Sequence, residues 1–317
     1  MPGRRFPICL ILILLGLGAH AQQVPDYDKA DKFARSMNMP VRALAELDSV
    51  LTLADKSLVL PEEKIRFVFT WVALNLEYDC GIDIPGVPAA SGLEDILRNK
   101  RSTCSGYSGL MNYALKKIGF ESVTIRGVAK TAKKDLYWQT LPRANHAWNA
   151  VKVNNEWKLL DATWASGEAS ENCDTVIRSF SPFYFFPEPQ VLALSHLPSD
   201  SSWQLISKPV DAQTFLAWPI FHDPYYEKNV SSFSPATGIL RASKNQLIRF
   251  RFNTQKPLDK IAIWSDDIKT IGPEFGNFSR TSHGYEYSYR VRESGDYFLN
   301  VSLDGRRTAI VYWILPE

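Results

Sequence analysis

The sequence predicts an α+β chain in two parts: a helix packed on an antiparallel sheet, followed by an all-β unit. Three observations predict this. Leu110, Tyr113 and Ala114 recur at helical intervals after Gly109, and Gly119 stops the run. Two strand-like runs, 147–153 and 156–164, are joined by Asn154-Asn155, a pair suited to the positive φ values of a two-residue hairpin. From Lys208 onward, short β-rich runs recur at the spacing of roughly 8–12 residues found in sandwiches.

The chain opens with Arg4-Arg5, an apolar run over 6–18 and Ala19-His20-Ala21. Basic, apolar and small-residue regions in that order predict a signal peptide over 1–21. The apolar run is shorter than the ~20 residues of a membrane span, so no stable anchor is expected after cleavage. Export to a periplasmic or extracellular compartment is the resulting expectation. Cleavage removes two arginines and no acid, taking the formal charge from +2 to zero and leaving 296 of 317 residues. A balanced chain of this kind has no electrostatic footprint for nucleic acid. Its length suits about two domains.

Residues 22–60 read as a helical lead-in, with Leu44, Leu47, Val50 and Leu51 on one side of a helix over 42–53. Pro61-Glu62-Glu63 is a helix start, Pro in the first turn and acids at the positive dipole end. Ile65, Val68, Phe69, Val72 and Leu76 form its stripe, ending near Tyr78. Residues 79–100 read as a loop that shapes a cleft, 121–130 as a strand, and 130–143 as a polar connector, either solvated or lining a groove.

The chemistry concentrates between Arg101 and Trp164. Cys104, His146 and Asp161 occur there in the order nucleophile, base, orienting carboxylate. Cys104 falls at a predicted helix N-terminus, where orphan amides and the dipole favour a thiolate and can lower its pKa to roughly 3.5–7.5. With Val153 opposite Glu156, paired residue numbers sum to 309, so His146 faces Thr163 and Asp161 faces Trp148. His146 and Asp161 are then diagonal neighbours on one face, whereas a one-residue slip would separate them. Asp near a strand end also suits a plain turn cap, and a buried Cys suits plain core.

Cys104-Ser-Gly-Tyr-Ser, Asn145-His146-Ala-Trp148-Asn149 and Leu159-Leu-Asp161-Ala-Thr-Trp164 resemble the three signature blocks of the transglutaminase-like superfamily. The resemblance implies a papain-like core, spanning 61–207, with a Cys-bearing helix against a sheet bearing His and Asp. The segments Tyr184-Phe-Phe-Pro-Glu188 and His196-Leu-Pro-Ser-Asp200-Ser-Ser-Trp203 are similar to the kyphoscoliosis-peptidase branch. Animal transglutaminases carry Gln-Cys-Trp, whereas Thr103 and Ser105 flank Cys104 here, which tilts the expectation from cross-linking towards hydrolysis. Trp71 corresponds to an upstream Trp that some members use near the site; core packing is its ordinary alternative.

Tyr107, Asn145, Trp148 and Asn149 are candidates to orient His146 or line the cleft. His196, His222 and His283 lack a nucleophile or carboxylate at informative spacing, apart from Asp223 beside His222, and turn or surface roles suffice for them. No clustered Cys/His pattern suggests a metal, and no cofactor is expected. Three cysteines survive signal cleavage, so at least one stays unpaired. Cys104 is the natural free one, and a Cys80–Cys173 disulfide is the accompanying expectation. The aromatic stretch 180–189 is expected to pack on the first domain.

Residues 208–317 are expected to form an immunoglobulin-like sandwich, with strands over 238–242, 246–252, 260–264, 285–292, 295–303 and 308–315. The overall expectation is an exported cysteine enzyme acting by acyl transfer on an amide of polypeptide or peptidoglycan type. The alternative is a catalytically silent module that binds protein or cell wall.

Overall fold

The computed structural model describes residues 24–37, 40–80, 92–170, 172–254, 256–269, 271–275, 278–282 and 284–317. The expected signal peptide and half of the expected loop over 79–100 lie outside these residues. No described helix is long and apolar enough to cross a membrane.

Among the described residues three helices come first: α1 (Tyr27–Ser36), α2 (Leu44–Ser57) and α3 (Pro61–Asn75). These helices share one core with the sheet unit behind them, since Ala30, Leu47 and Leu51 are buried with Phe69, Leu110 and Trp148. Sequence periodicity gives α3 one buried stripe, but it is buried on every side, Phe67, Thr70, Trp71 and Ala73 included. The cause is its central position, packed against α1 and against the Cys-bearing helix. Even Arg66 is enclosed, its guanidinium forked onto Asp31 at 2.7 Å from both nitrogens and lying over the Phe185 ring.

Two short strands, β1 (Glu77–Tyr78) and β2 (Arg101–Ser102), pair in parallel around α4 (Leu93–Asn99), a helix inside the span expected to be loop. β2 delivers the chain into α5 (Cys104–Lys117), which ends before Gly119 at φ +88°. Gly106 in the first turn of α5 lies against Ser102, where a Cβ would fall 1.8 Å from the Ser102 Oγ. The strand that sets the cysteine's approach can therefore run directly beneath the helix.

α5 packs on an antiparallel sheet whose order is β5 (Glu156–Leu160), β4 (His146–Val153), β3 (Ser122–Ala129), β8 (His196–Pro198). The hairpin register is the expected one, Val153 opposite Glu156 through Asn149 opposite Leu160, with φ of 50° and 68° at Asn154 and Asn155. It ends earlier than expected. At Asp161 the chain leaves the ladder and turns into α6 (Ala162–Ser166), because the Asp161 amide is taken by the Tyr184 carbonyl and its side chain caps the new helix. A small ribbon of β6 (Gly167–Ala169) and β7 (Val176–Arg178) and the helix α7 (Pro189–Leu192) complete this unit. Cys80 and Cys173 form the expected disulfide, with Cα atoms 5.3 Å apart, and Cys104 is free.

After α8 (Ala212–Ala217), β9 (Ile220–Phe221) and α9 (Asp223–Glu227) come the strands of a two-sheet sandwich. One sheet orders β10 (Val230–Ser234), β12 (Leu247–Thr254), β16 (Gly284–Arg290) and β15 (Phe278–Thr281). The other orders β11 (Ile239–Arg241), β18 (Ile310–Leu315), β17 (Tyr297–Ser302), β13 (Ala262–Trp264) and β14 (Glu274–Phe275), with β9 on β18. Phe250, Tyr287 and Tyr289 of the first meet Leu299, Tyr312 and Ile314 of the second in a separate core. All six expected strands are present.

The connector is divided: 130–136 is largely buried, whereas 139–143 is mostly exposed, as a solvated stretch would be. Lys130 is fully buried, and its ammonium donates to the Trp218 carbonyl at 2.5 Å and to those of Leu216 and Phe215 at 3.3 and 3.4 Å. It thereby caps the C-terminal end of α8 with a cation, where the helix dipole favours one. Leu136 beside it packs with Ile220, Phe298 and Val311. The connector is the seam between the two units.

Candidate active site

Cys104 is the first residue of α5, where its thiol faces the start of β4. The His146 ring and the Ala147 amide lie near enough to favour its ionised form. Burial alone would push the thiol up, but the His146 and Ala147 interactions prevail and hold it below the ordinary thiol range. His146 Nε2 lies 2.6 Å from Asp161 Oδ2, which leaves Nδ1 as the ring nitrogen for Cys104. Burial disfavours the charged ring, but Asp161 and then Cys104 outweigh it and raise His146 to about 9. Burial likewise opposes ionisation of Asp161, and His146 nevertheless holds its carboxyl well below the usual carboxylate range. Asp161 Oδ1 also accepts the Thr163 and Trp164 amides, at 2.8 and 3.0 Å, so one side chain caps α6 and fixes His146. The electrostatics of the three groups thus favour a thiolate beside an imidazolium beside a carboxylate.

The site is buried and aromatic. Trp148 stacks on the His146 ring with centroids 5.8 Å apart and planes at 20°, and Trp164 packs against the same ring at 5.7 Å. Enclosure of this kind strengthens the electrostatics of the row. Trp148 thus does line the histidine. Tyr107 is buried in the core beneath α5, its hydroxyl pushed up to about 12 by burial.

The other candidates act elsewhere. Asn145 clamps the end of β3, its Oδ1 taking the Ala129 amide at 2.8 Å and its Nδ2 donating to the Ala129 carbonyl at 3.0 Å. Asn149 ties β4 to α5 and β3 by donating to the Ser108 and Val123 carbonyls. Neither bonds the His146 ring. Trp71 sits in the core of α3 with the Lys100 ammonium 5.5 Å over its ring, the ordinary alternative for it.

His196 is the residue that spacing arguments missed. It is 2 % exposed, and its Nε2 lies 3.1 Å from the same Asp161 Oδ2 that holds His146. The sheet explains this placement. On the central strand β3, Gly127 pairs with His146 on one side and Ala129 pairs with His196 on the other. Residues two apart on a strand share a face, so both histidines do too. Gly127 leaves the room between them: a Cβ there would meet the Leu197 carbonyl at 2.3 Å and the Trp148 ring at 2.6 Å. The signal in the sequence was the short apolar strand around His196, visible only with its partner strand known.

The donor atoms of His146, Asp161 and His196 lie within 4.8 Å of one another, close enough to surround a metal ion. Hydrogen bonds at 2.6 and 3.1 Å already use the carboxylate oxygen such an ion would need, and the cysteine beside them gives the set a role in proton handling.

Residues 52–162 match the family model of the transglutaminase-like superfamily, and they hold Cys104, His146 and Asp161. This segment is a transglutaminase-like domain. Among curated proteins, the kyphoscoliosis peptidase of Mus musculus is 28% identical over 179 residues, 56% of this chain and 27% of its own. That of Homo sapiens is 26% identical over 215 residues, 68% of this chain and 32% of its own. The chain thus spans about a quarter to a third of the length of these relatives. A solved structure described as a TGase aligns over 50% of this chain and 42% of its own, at 16% identity and a TM-score of 0.30. The transglutaminase-like domain supplies the nucleophile helix and the His–Asp hairpin, while His196 lies downstream of the matched segment.

Proposed function

We propose that the protein is an exported cysteine enzyme that transfers acyl groups from amides, with hydrolysis as its main outcome. The observation that carries this reading is the buried row Cys104–His146–Asp161, in which Asp161 holds the His146 ring at 2.6 Å and His146 favours the Cys104 thiolate. The Cys104 thiolate attacks an amide carbonyl, forming the S–C bond. Gly106 and Tyr107 amides are engaged by the Thr103 carbonyl, which leaves those of Cys104 and Ser105 at the helix start to face the oxyanion. As the C–N bond breaks, the His146 imidazolium gives its proton to the leaving amine. Water, deprotonated by His146, then attacks the thioester, releasing a carboxylic acid and regenerating the thiol. The substrate class is a polypeptide or peptidoglycan-type amide. Export rests on the basic, apolar and small-residue start of the chain, and a Cys80–Cys173 disulfide fits an oxidising compartment.

The test is the pH dependence of Cys104 alkylation by iodoacetamide, in wild type and in His146→Ala. Wild type should label rapidly at pH 6 and the variant on the order of 100-fold more slowly, since an ordinary thiol is mostly protonated there. Equal, slow labelling that climbs only near pH 8.5 in both proteins would remove the enzymatic reading. Peptide amides with and without an added primary amine then separate hydrolysis from transamidation.

A further inference from the structure

We propose that His196 and Tyr226 are positioning residues for the catalytic carboxylate, and that the C-terminal unit thereby completes the active site. The proposal rests on the Cys104–His146–Asp161 reading above. Asp161 Oδ2 accepts from His146 at 2.6 Å and from His196 at 3.1 Å. His196 Nδ1 lies 2.9 Å from Ser195 Oγ, and Ser195 Oγ lies 3.0 Å from the hydroxyl of Tyr226. Tyr226 belongs to α9, inside the core of the C-terminal sandwich, and Phe183 stacks flat on it with centroids 4.3 Å apart and planes at 3°. A chain of hydrogen bonds therefore runs from the second unit into the catalytic carboxylate.

The chain has one direction. Asp161 is ionised and can only accept, so His196 must present Nε2–H to it. Nδ1 is then an acceptor, and the Ser195 hydroxyl must supply the proton. The Ser195 hydroxyl has a competing acceptor, the Leu192 carbonyl at 3.4 Å. Donation from Tyr226 into the Ser195 oxygen fixes that hydroxyl towards His196. Burial, which leads the Asp161 interaction here, keeps His196 below the ordinary histidine range, so it remains neutral while His146 is charged. Two histidines on one carboxylate oxygen thus hold different protonation states. A neutral donor on Asp161 disperses part of its charge, so His196 moderates the basicity of His146 and locks the carboxylate plane.

The experiment records 15N-imidazole NMR spectra and iodoacetamide labelling profiles of the full chain as wild type, His196→Leu, His196→Gln and Tyr226→Phe. Wild-type His196 should be a neutral Nε2–H tautomer from pH 5 to 9. His196→Leu should raise the His146 titration by half a unit or more and move the acid limb of the labelling profile to lower pH by a similar amount. His196→Gln, which keeps an N–H for Asp161, should restore both to near wild type. Tyr226→Phe removes only a hydroxyl and should populate the Nδ1–H tautomer of His196. Superimposable spectra and profiles for wild type, His196→Leu and Tyr226→Phe would overturn the proposal. So would a His196 resonance that gains a proton near pH 6.5. Loss of the enzymatic reading is distinguishable, because it shows as an ordinary thiol profile in wild type while the histidine spectra still score the hydrogen-bond chain.

Discussion

Asp161 carries four hydrogen bonds on two oxygens, two from ring nitrogens and two from backbone amides. Asp161→Asn would keep the size but place an amide where two ring N–H groups now point, or turn its oxygen there and set an N–H against the amides of Thr163 and Trp164. The first arrangement drives the His146 proton to the nitrogen facing Cys104, and the second uncaps α6 and leaves the imidazolium without a charged partner. Turnover should fall by about 10³–10⁴, as for a triad carboxylate changed to its amide. Labelling of Cys104 at pH 6 should fall to the level of His146→Ala. The same groups set a pH dependence of stability. Asp161 titrates below its unfolded value, so its contribution is present above about pH 4 and lost as pH falls through its folded value. His146 titrates near 9, so its contribution is full below its unfolded pKa of about 6.5 and lost as pH rises through about 9. In a Cys104→Ala background, where Asp161 remains the leading partner of His146, the pair should stabilise most between about pH 4 and 6.5. The thermal midpoint, compared with that of Cys104→Ala/Asp161→Asn, should show its largest gap there and a smaller one at pH 9.5.

Among the elements, the sheet order β4–β3–β8 decides which residues meet, and the central strand has no side chain where it must pass between Trp148 and Leu197. Gly127→Ala would drive a methyl into a backbone carbonyl and a packed indole. It should cost about 1–3 kcal/mol in urea unfolding, and it should slow Cys104 labelling, because β4 and β8 carry the two histidines. Sequence patterns went far at this scale and then stopped for definite reasons. The helix start at Cys104 and the Asn154-Asn155 turn are local, so their chemistry alone set the helix position and the hairpin register. His196 was invisible because β8 reaches β3 across a long excursion through the aromatic segment, and no local period encodes that pairing. The early end of β5 was hidden likewise, since the group that claims the Asp161 amide is the Tyr184 carbonyl, supplied 23 residues further on. Asn145 and Asn149 were drawn to His146 by adjacency, but their side chains satisfy neighbouring backbone.

For the whole molecule, the seam at Lys130 predicts how the two units depend on each other. Lys130→Met keeps the buried stem and deletes the ammonium that the Phe215, Leu216 and Trp218 carbonyls share. The midpoint of unfolding should drop by an amount equivalent to about 1–3 kcal/mol, and a second transition should emerge if the sandwich then melts separately. The disulfide acts at the same scale from the other side. Its partners are 93 residues apart, and reducing it should cost about 2–5 kcal/mol. It also closes residues 80–173 into a covalent ring, and Cys104, His146 and Asp161 all lie on that ring. A protease that cuts the ring once opens it without dividing it. Mass spectrometry of protein nicked between Cys104 and His146, kept unreduced, should therefore find the intact mass plus one water, and separate the nucleophile from its base only after a reductant is added.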